Sequence, residues 1–191
     1  MFKHYIDEEL SLKLVEPEDA EAIYQVMDES RSHLRSWLAW VDGTESIEHT
    51  KEFVQMVMNK FADGTGVSTC ILYQGQVAGL VGIHAVDRKN SKTSIGYWLG
   101  ERFIGKGIMT RATKAMVDYA IYEKGLNRVE IRAASENLKS RSIPERLGFI
   151  QEGNIRQAEW LYDQYVDHVV YGVTAGEWKT NGQNRGCPLE W

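Results

Sequence analysis

An arginine and two glycines, Arg102-x-x-Gly105-x-Gly107, stand between a short apolar run and a long helical pattern. That order puts backbone N–H groups at a helix start, where the first-turn amides lack intrahelical partners and the helix dipole favours negative charge. The amides of residues 104–108 would cap a phosphate or diphosphate there, with Gly105 and Gly107 permitting close approach and unusual φ values. Lys106 and Arg111 add charge nearby. A plain strand-to-helix turn has the same spacing, so spacing alone leaves both readings standing. A second group is Asn137, Ser140, Pro144 and Gly148. Asn137 or Ser140 can cap a short helix, Pro144 falls close to its start, and Gly148 supplies a left-handed exit. Glu159, His84 and His168 are side chains able to take up a proton. Each also has a structural reading, Glu159 as a strand-pair carboxylate and His84 as a ring packed beside a sheet.

These residues need a scaffold, and the chain spells one. Residues 10–15 alternate as a first strand, and Pro17 with Glu18 and Asp19 suits the start of a helix carrying Ala22, Ile23, Val26 and Met27. An aromatic-rich segment over residues 33–40 follows a break. Residues 46–61 repeat the helical pattern until Asp63-Gly64 stops it. Period two then takes over. Residues 67–73, the turn Gln74-Gly75 and residues 76–85 read as a hairpin, and residues 93–99 as the next strand. The helix after Gly107 ends near Lys124-Gly125. Residues 128–134 form a strand, residues 139–147 a short helix, and residues 149–155 and 165–174 the last strands. Strand, helix and strand over 96–134 make a right-handed parallel crossover, so the expected fold is a mixed sheet flanked by helices. From Gly176 the chain turns polar and Gly-rich, and residues 176–191 are expected to be a mobile tail after a domain over residues 1–175.

The 191 residues suit one α/β domain, and 43% apolar with 26% charged residues is ordinary for a globular protein. A net charge of -5 argues against nonspecific nucleic-acid binding. No secretory signal opens the chain and no apolar run approaches the ~20 residues of a spanning helix, so no membrane is expected. Cys70 lies in a strand-like run and Cys187 in a polar tail; they form neither a disulfide framework nor a metal site, which fits a reducing cytoplasm. The Gly-x-Gly-x-x-Gly dinucleotide fingerprint and the GxxxxGK[ST] loop are both missing.

Four strings, in order, carry a family resemblance: LRSWLAW at 34–40, IGYWLGERFIGKGIMTRA at 95–112, VEIRAASENLKSRSIPERLGF at 129–149, and the series Glu152, Gly153, Ala158, Glu159, Trp160, Tyr165, Asp167, Tyr171. By these the chain resembles the GNAT superfamily of acyl-CoA N-acyltransferases, within it the RimJ/RimL branch, from about residue 10 to 174. The resemblance implies a mixed, mostly antiparallel α/β sheet with a splayed parallel strand pair, and acetyl-CoA as cosubstrate. The pantetheine arm would lie along the free edge of Tyr97, Trp98 and Leu99. The diphosphate would rest on the turn, where the implied cofactor residues are Arg102, Ile104, Gly105, Lys106, Gly107, Ile108, Met109 and Thr110. Asn137 and Ser140 match the family's Asn-x-x-Ser, which reaches the pantetheine and the thioester sulfur. Glu159 matches a glutamate proposed to activate the acceptor amine. His33, Arg35, Trp37, Trp40 and His84 are the implied acceptor-facing residues. Ala39 departs from the branch, which often has proline there; the change bears on the acceptor loop, not on the cofactor.

Direct acetyl transfer needs a neutral amine against the carbonyl, a donor for the oxyanion and a proton for the departing thiolate. The assignments are a backbone N–H near Leu99 for the oxyanion, Ser140 for the thiolate and Glu159 as base, with His84 and His168 as alternates. An α-amine titrates near 7.7–8.0 and a lysine near ~10.4, so a weak base favours a protein or peptide N-terminus. Acetylation of a polyamine, amino acid or antibiotic is the alternative, and a non-catalytic acyl-CoA-binding module is another. The aromatic content is compatible with a homodimer.

Overall fold

The computed structural model describes residues 3–183; Cys187 and the rest of the expected tail beyond residue 183 lie outside the described residues. Eight strands form one sheet: β1 (Lys3–Tyr5), β2 (Leu10–Leu14), β3 (Val67–Tyr73), β4 (Gln76–Asp87), β5 (Lys92–Leu99), β6 (Arg128–Ala134), β7 (Ile150–Leu161) and β8 (Gln164–Thr174). Their spatial order is β1-β2-β3-β4-β5-β6-β8-β7. Six helices flank it: α1 (Ala20–Glu29), α2 (Arg31–Arg35), α3 (Ile47–Ala62), α4 (Ile108–Asp118), α5 (Leu138–Leu147) and α6 (Ala175–Gln183).

Side-chain alternation along the strands divides the core into two faces. Cys70, Leu72 and Leu80 pack with Ile23 of α1 and Val54 and Val57 of α3. Ile71, Val81, Ile83, Ile95 and Ile131 pack on the other face with Ile108 and Met116 of α4 and Ile143 and Leu147 of α5. A buried ion pair closes the α1 end: Lys13 Nζ donates to both carboxylate oxygens of Asp19, at 2.7 and 2.8 Å. Pro17 opens a 3-10 turn, Pro17–Asp19, and α1 starts only at Ala20.

One feature of the sheet decides the function. Among the described residues the only parallel neighbours are β5 and β6, and they pair from Lys92↔Arg128 to Ile95↔Ile131 and no further. Beyond that point β5 stays on β4 as far as Leu99↔Gly79, whereas β6 stays on β8 as far as Ala134↔His168. The two strands part, and a gap opens through the sheet.

The last strands run further than their sequence pattern announces, and α2 starts before the aromatic segment and overlaps only its first residues. A larger difference concerns the C-terminal end. Residues 175–183 are not a loose tail: they form α6, whose Trp178 is 6% exposed and donates its indole N–H to Asp118 Oδ1 at 2.7 Å. Gly176 and its polar neighbours read as a mobile tail, but the buried indole and its carboxylate partner dock the segment as a short helix. Among the described residues no helix is long and apolar enough to cross a membrane.

Candidate active site

The free edge of β5 comes first. The Gly100 N–H donates to Ala78 C=O at 2.8 Å, so the even residues of β5 turn their backbone groups toward β4. Tyr97 and Leu99 therefore aim their N–H and C=O groups at the gap, where no strand receives them. That is an unpaired strand edge, ready to bond an extended chain.

Next is the turn. Gly105 has φ +81° and Gly107 φ +69°, left-handed conformations that disfavour other residues, and α4 starts directly after Gly107. Arg111 N–H closes the first helical bond, onto Gly107 C=O at 3.2 Å. Among the described residues, the N–H groups of Gly105, Lys106, Gly107, Ile108, Met109 and Thr110 make no hydrogen bond. Ile104 corrects the expectation: its N–H is spent on Glu101 C=O at 3.2 Å, because Glu101–Phe103 is a 3-10 turn. The free array thus starts one residue later and reaches two further into α4. Its charged neighbours are partly committed. Arg111 pairs with Asp7, Arg102 lies 3.4 Å from Glu29, and Lys106 sits over the Tyr73 ring at 5.3 Å.

Two cavities meet at the gap. One, of about 780 Å³ on the α4–α5 face, is lined by Leu99, Gly105, Gly107, Met109, Thr110 and Arg146 among others. The other, of about 620 Å³, lies on the α1–α3 face and includes Trp40, Phe53, His84, Glu159 and His168. Trp37, Leu38, Tyr97, Trp98, Asn137 and Ser140 line both. A ligand lying along the edge of β5 with its anionic end on the free amides would end at Ser140, facing the second cavity. The residues present therefore fit acetyl-CoA: an amide array for the diphosphate, a strand edge for the amide-bearing arm, and an opening for the thioester.

At the junction, Asn137 caps α5. Its Oδ1 accepts the Ser140 N–H at 3.1 Å, leaving its amide nitrogen free for a ligand. The Tyr97 hydroxyl donates to Ser140 C=O at 3.1 Å, and the Ser140 hydroxyl donates back to Tyr97 Oη at a long 3.4 Å. Burial pushes the Tyr97 phenol up to about 12, so it stays protonated. Tyr97 was expected only as part of the strand edge; its hold on Ser140 depends on a residue 43 positions away and has no local sequence signal.

On the opposite wall, Glu159 Oε2 lies 3.0 Å from His168 Nε2. Ile155 faces His168 across β7–β8, but Glu159 faces Val166, so β7 carries two extra residues between these pairs. Gln157, at φ +50°, sits in that bulge, and its N–H donates to Asp167 Oδ1 at 2.8 Å. The bulge moves Glu159 to a diagonal position beside His168 on the same face. His84 lies in the floor of the same cavity, open to its solvent yet surrounded by protein on most sides. That burial, with the Lys60 charge adding to it, pushes its pKa below the ordinary histidine value, so it is neutral at pH 7.

The expected acceptor residues separate here. Trp37, Trp40 and His84 line the acceptor cavity, and Trp40 packs against Trp98 at 6.1 Å between ring centroids. His33 lines the cofactor side instead, because α2 turns it toward α4. Arg35 lines neither cavity: its Nε donates to Asp42 at 2.9 Å and its guanidinium lies over the Tyr162 ring at 4.0 Å. Tyr162 in turn donates to Leu38 C=O at 2.9 Å. Arg35 thus ties the aromatic loop to the β7–β8 turn. Sequence reading missed His49, Phe53 and Arg132 in the acceptor cavity and Lys139 and Arg146 beside the turn. Only Lys139 and Arg146 had a signal, as cations on the helix that carries Ser140.

Comparison with known proteins agrees with this geometry. Residues 9–150 match the model of the acetyltransferase (GNAT) domain. The chain is 35% identical over 180 residues to a putative ribosomal N-acetyltransferase, YdaF, of Bacillus subtilis, covering 94% of this chain and 98% of that one. It is 29% identical over 166 residues to the ribosomal-protein-serine acetyltransferase of Escherichia coli, covering 87% and 93%. Among solved structures, RimL, a ribosomal L7/L12 α-N-protein acetyltransferase in complex with coenzyme A, superposes with a TM-score of 0.88 at 26% identity, covering 91% and 98%. A splayed strand pair, an unblocked amide turn and this match over most of the length have one common account: the chain belongs to the GNAT family of acetyltransferases, and it moves the acetyl group of acetyl-CoA to an amine.

Proposed function

We propose that the acceptor is the α-amine at the N-terminus of a protein, acetylated in the cytoplasm by direct attack within a ternary complex. The observation that carries this is the charge of the acceptor cavity. Glu159 is the one carboxylate among its lining residues, and Arg132 is a cation in the same wall. A polyamine would need several carboxylates to replace the water around its charges. A single α-amine needs only one weak base, since its pKa is about 7.7–8.0. The names of the relatives point the same way: YdaF, the serine acetyltransferase and RimL are all described as acting on ribosomal proteins.

In this reading Glu159, oriented by His168, takes the proton of the attacking amine directly or through a water. The N–H of Leu99, aimed into the gap, donates to the oxyanion that forms on the thioester carbonyl. As the C–S bond breaks, Ser140 turns its hydroxyl from Tyr97 Oη to the thiolate, whose pKa is near the ~8.5 of a cysteine thiol. It relays to the sulfur a proton that the serine regains from water, so no alkoxide is left. Trp37 and Trp40 wall the acceptor.

Release of the coenzyme A thiol tests the proposal. The panel is a set of peptides with free N-termini, the same peptides blocked at the N-terminus but carrying an internal lysine, a polyamine and free amino acids. Thiol release with the free-N-terminus peptides alone is expected. Faster release with the polyamine or the blocked peptides overturns the acceptor class, and acetyl-CoA binding with no release on any amine overturns catalysis.

A further inference from the structure

Part of the acceptor cavity is lined by α1 and α3, and its walls carry polar groups that acetyl transfer does not use. Ser68, Gly82 and Gly96 lie in register across β3, β4 and β5. All three face the α1–α3 side, like Cys70 and Leu80 on the same strands. The glycines leave room that two polar side chains enter. A Cβ at Gly96 would stand 3.0 Å from His84 Nε2, and one at Gly82 would stand 3.1 Å from Ser68 Oγ. Each side chain thus fills space that a side chain on the neighbouring strand would otherwise take. Thr50 of α3 lines the same cavity.

Thr50 is 4% and Ser68 7% exposed, yet both line the cavity, and among the described residues neither hydroxyl has a hydrogen-bond partner. The His84 ring nitrogens have none either. Buried hydroxyls are nearly always satisfied, so two open ones in one recess call for a water or a ligand group. Between them and the gap the walls are apolar, formed by Ile23, Met27, Phe53, Leu80 and Trp98. Of the charged lining residues, Glu159 stands on β7, and Arg132 on β6 follows the Ile95↔Ile131 pair beside Gly96 and His84, so both lie at least two strands from Ser68 on β3.

We infer that this recess selects the acceptor by the side chain beside its amine: an apolar stem ended by an uncharged hydrogen-bonding group, such as a phenol hydroxyl or a carboxamide. The inference rests on the acceptor reading above. The stem spans at most the two strand spacings from β5 to β3, about 10 Å, and passes between Phe53 and Trp98. Its polar tip meets Ser68 and Thr50. A charged tip is excluded at Ser68 because the charged lining residues, Arg132 and Glu159, stand two or more strands away, and burying an unpaired ion is costly.

The test compares kcat/KM for peptides that differ only in their first residue, tyrosine against phenylalanine and glutamine against leucine, together with tyramine against phenethylamine. A site built to bond a polar group rejects the analogue that lacks it, so a preference of at least about tenfold for the polar member of each pair is expected. Thr50→Val and Ser68→Ala should each bring the tyrosine-to-phenylalanine ratio toward one. Ratios within about twofold in the unaltered protein, or a ratio that neither substitution moves, mean that the recess holds water only and overturn the inference. If tyramine is preferred over phenethylamine while no peptide is acetylated, the recess stands and the protein-acceptor reading falls.

Discussion

Gly105 and Gly107 offer the sharpest test of how the cofactor is held. Both have positive φ, and a Cβ built on either meets no atom within 4 Å, so an alanine there adds backbone strain and no clash within the protein. The left-handed conformation costs a residue with a Cβ roughly 1–2 kcal/mol. That cost can appear in two places. If Gly107→Ala keeps its turn, the strain lowers folding stability by that amount and leaves acetyl-CoA affinity close to the original. If the turn relaxes, stability recovers, and the bound ligand must restore the amide array at its own expense. A penalty of 1–2 kcal/mol then weakens Kd by about 5- to 30-fold. The two losses should therefore sum to roughly 1–2 kcal/mol per glycine. Gly75 supplies the control: it has φ +79°, equally open surroundings, and lies in the β3–β4 turn outside both large cavities. Calorimetry with acetyl-CoA and urea denaturation of the three alanine variants measure both quantities. Gly75→Ala should lose stability alone. Equal weakening of Kd by Gly75→Ala, or a Gly107→Ala protein with both stability and Kd unchanged, would refute the amide cradle.

Ser140→Ala should lower kcat by roughly 10- to 100-fold while the KM for acetyl-CoA stays near its original value, because the hydroxyl acts only as the thiolate departs; unchanged kcat removes Ser140 from the reaction. Glu159→Gln should cost roughly 100-fold near pH 6.5 and progressively less toward pH 9, where an α-amine of pKa about 7.7–8.0 is already neutral. A deficit that does not vary with pH assigns Glu159 to orientation instead of proton removal. Trp178→Ala should cost about 3–5 kcal/mol of stability, since it empties an indole-sized space and leaves the buried Asp118 carboxylate with Lys114 but without its indole donor. A melting temperature within two or so degrees of the original would show that α6 is dispensable.

Much of the site is local, which is why its parts can be read in order along the chain. Positive φ at Gly105 and Gly107, the free amides behind them and the Asn137 cap each depend on a few neighbouring residues, and spacing announces them. Period-two and period-3.6 patterns likewise place most strands and helices, because burial on one face is a local property of the pattern. Other features have no such signal. Arg35 read as an acceptor contact because its partner Tyr162 lies far along the chain, and Trp178 read as tail because its partner Asp118 belongs to α4.

By itself the sequence determined the amide turn, the cap that presents Ser140, and the set of side chains able to move a proton. Only the tertiary structure decided that β5 and β6 part after Ile95 and Ile131, that two cavities on opposite faces meet at that gap, and that a bulge in β7 brings Glu159 to His168. The reason is physical. Backbone conformation near a glycine or a cap is set within a turn of chain, whereas the place where two strands stop pairing is settled by what each packs against on its other side. Here β4 holds one strand and β8 the other, and their pull in different directions makes the opening in which the chemistry occurs.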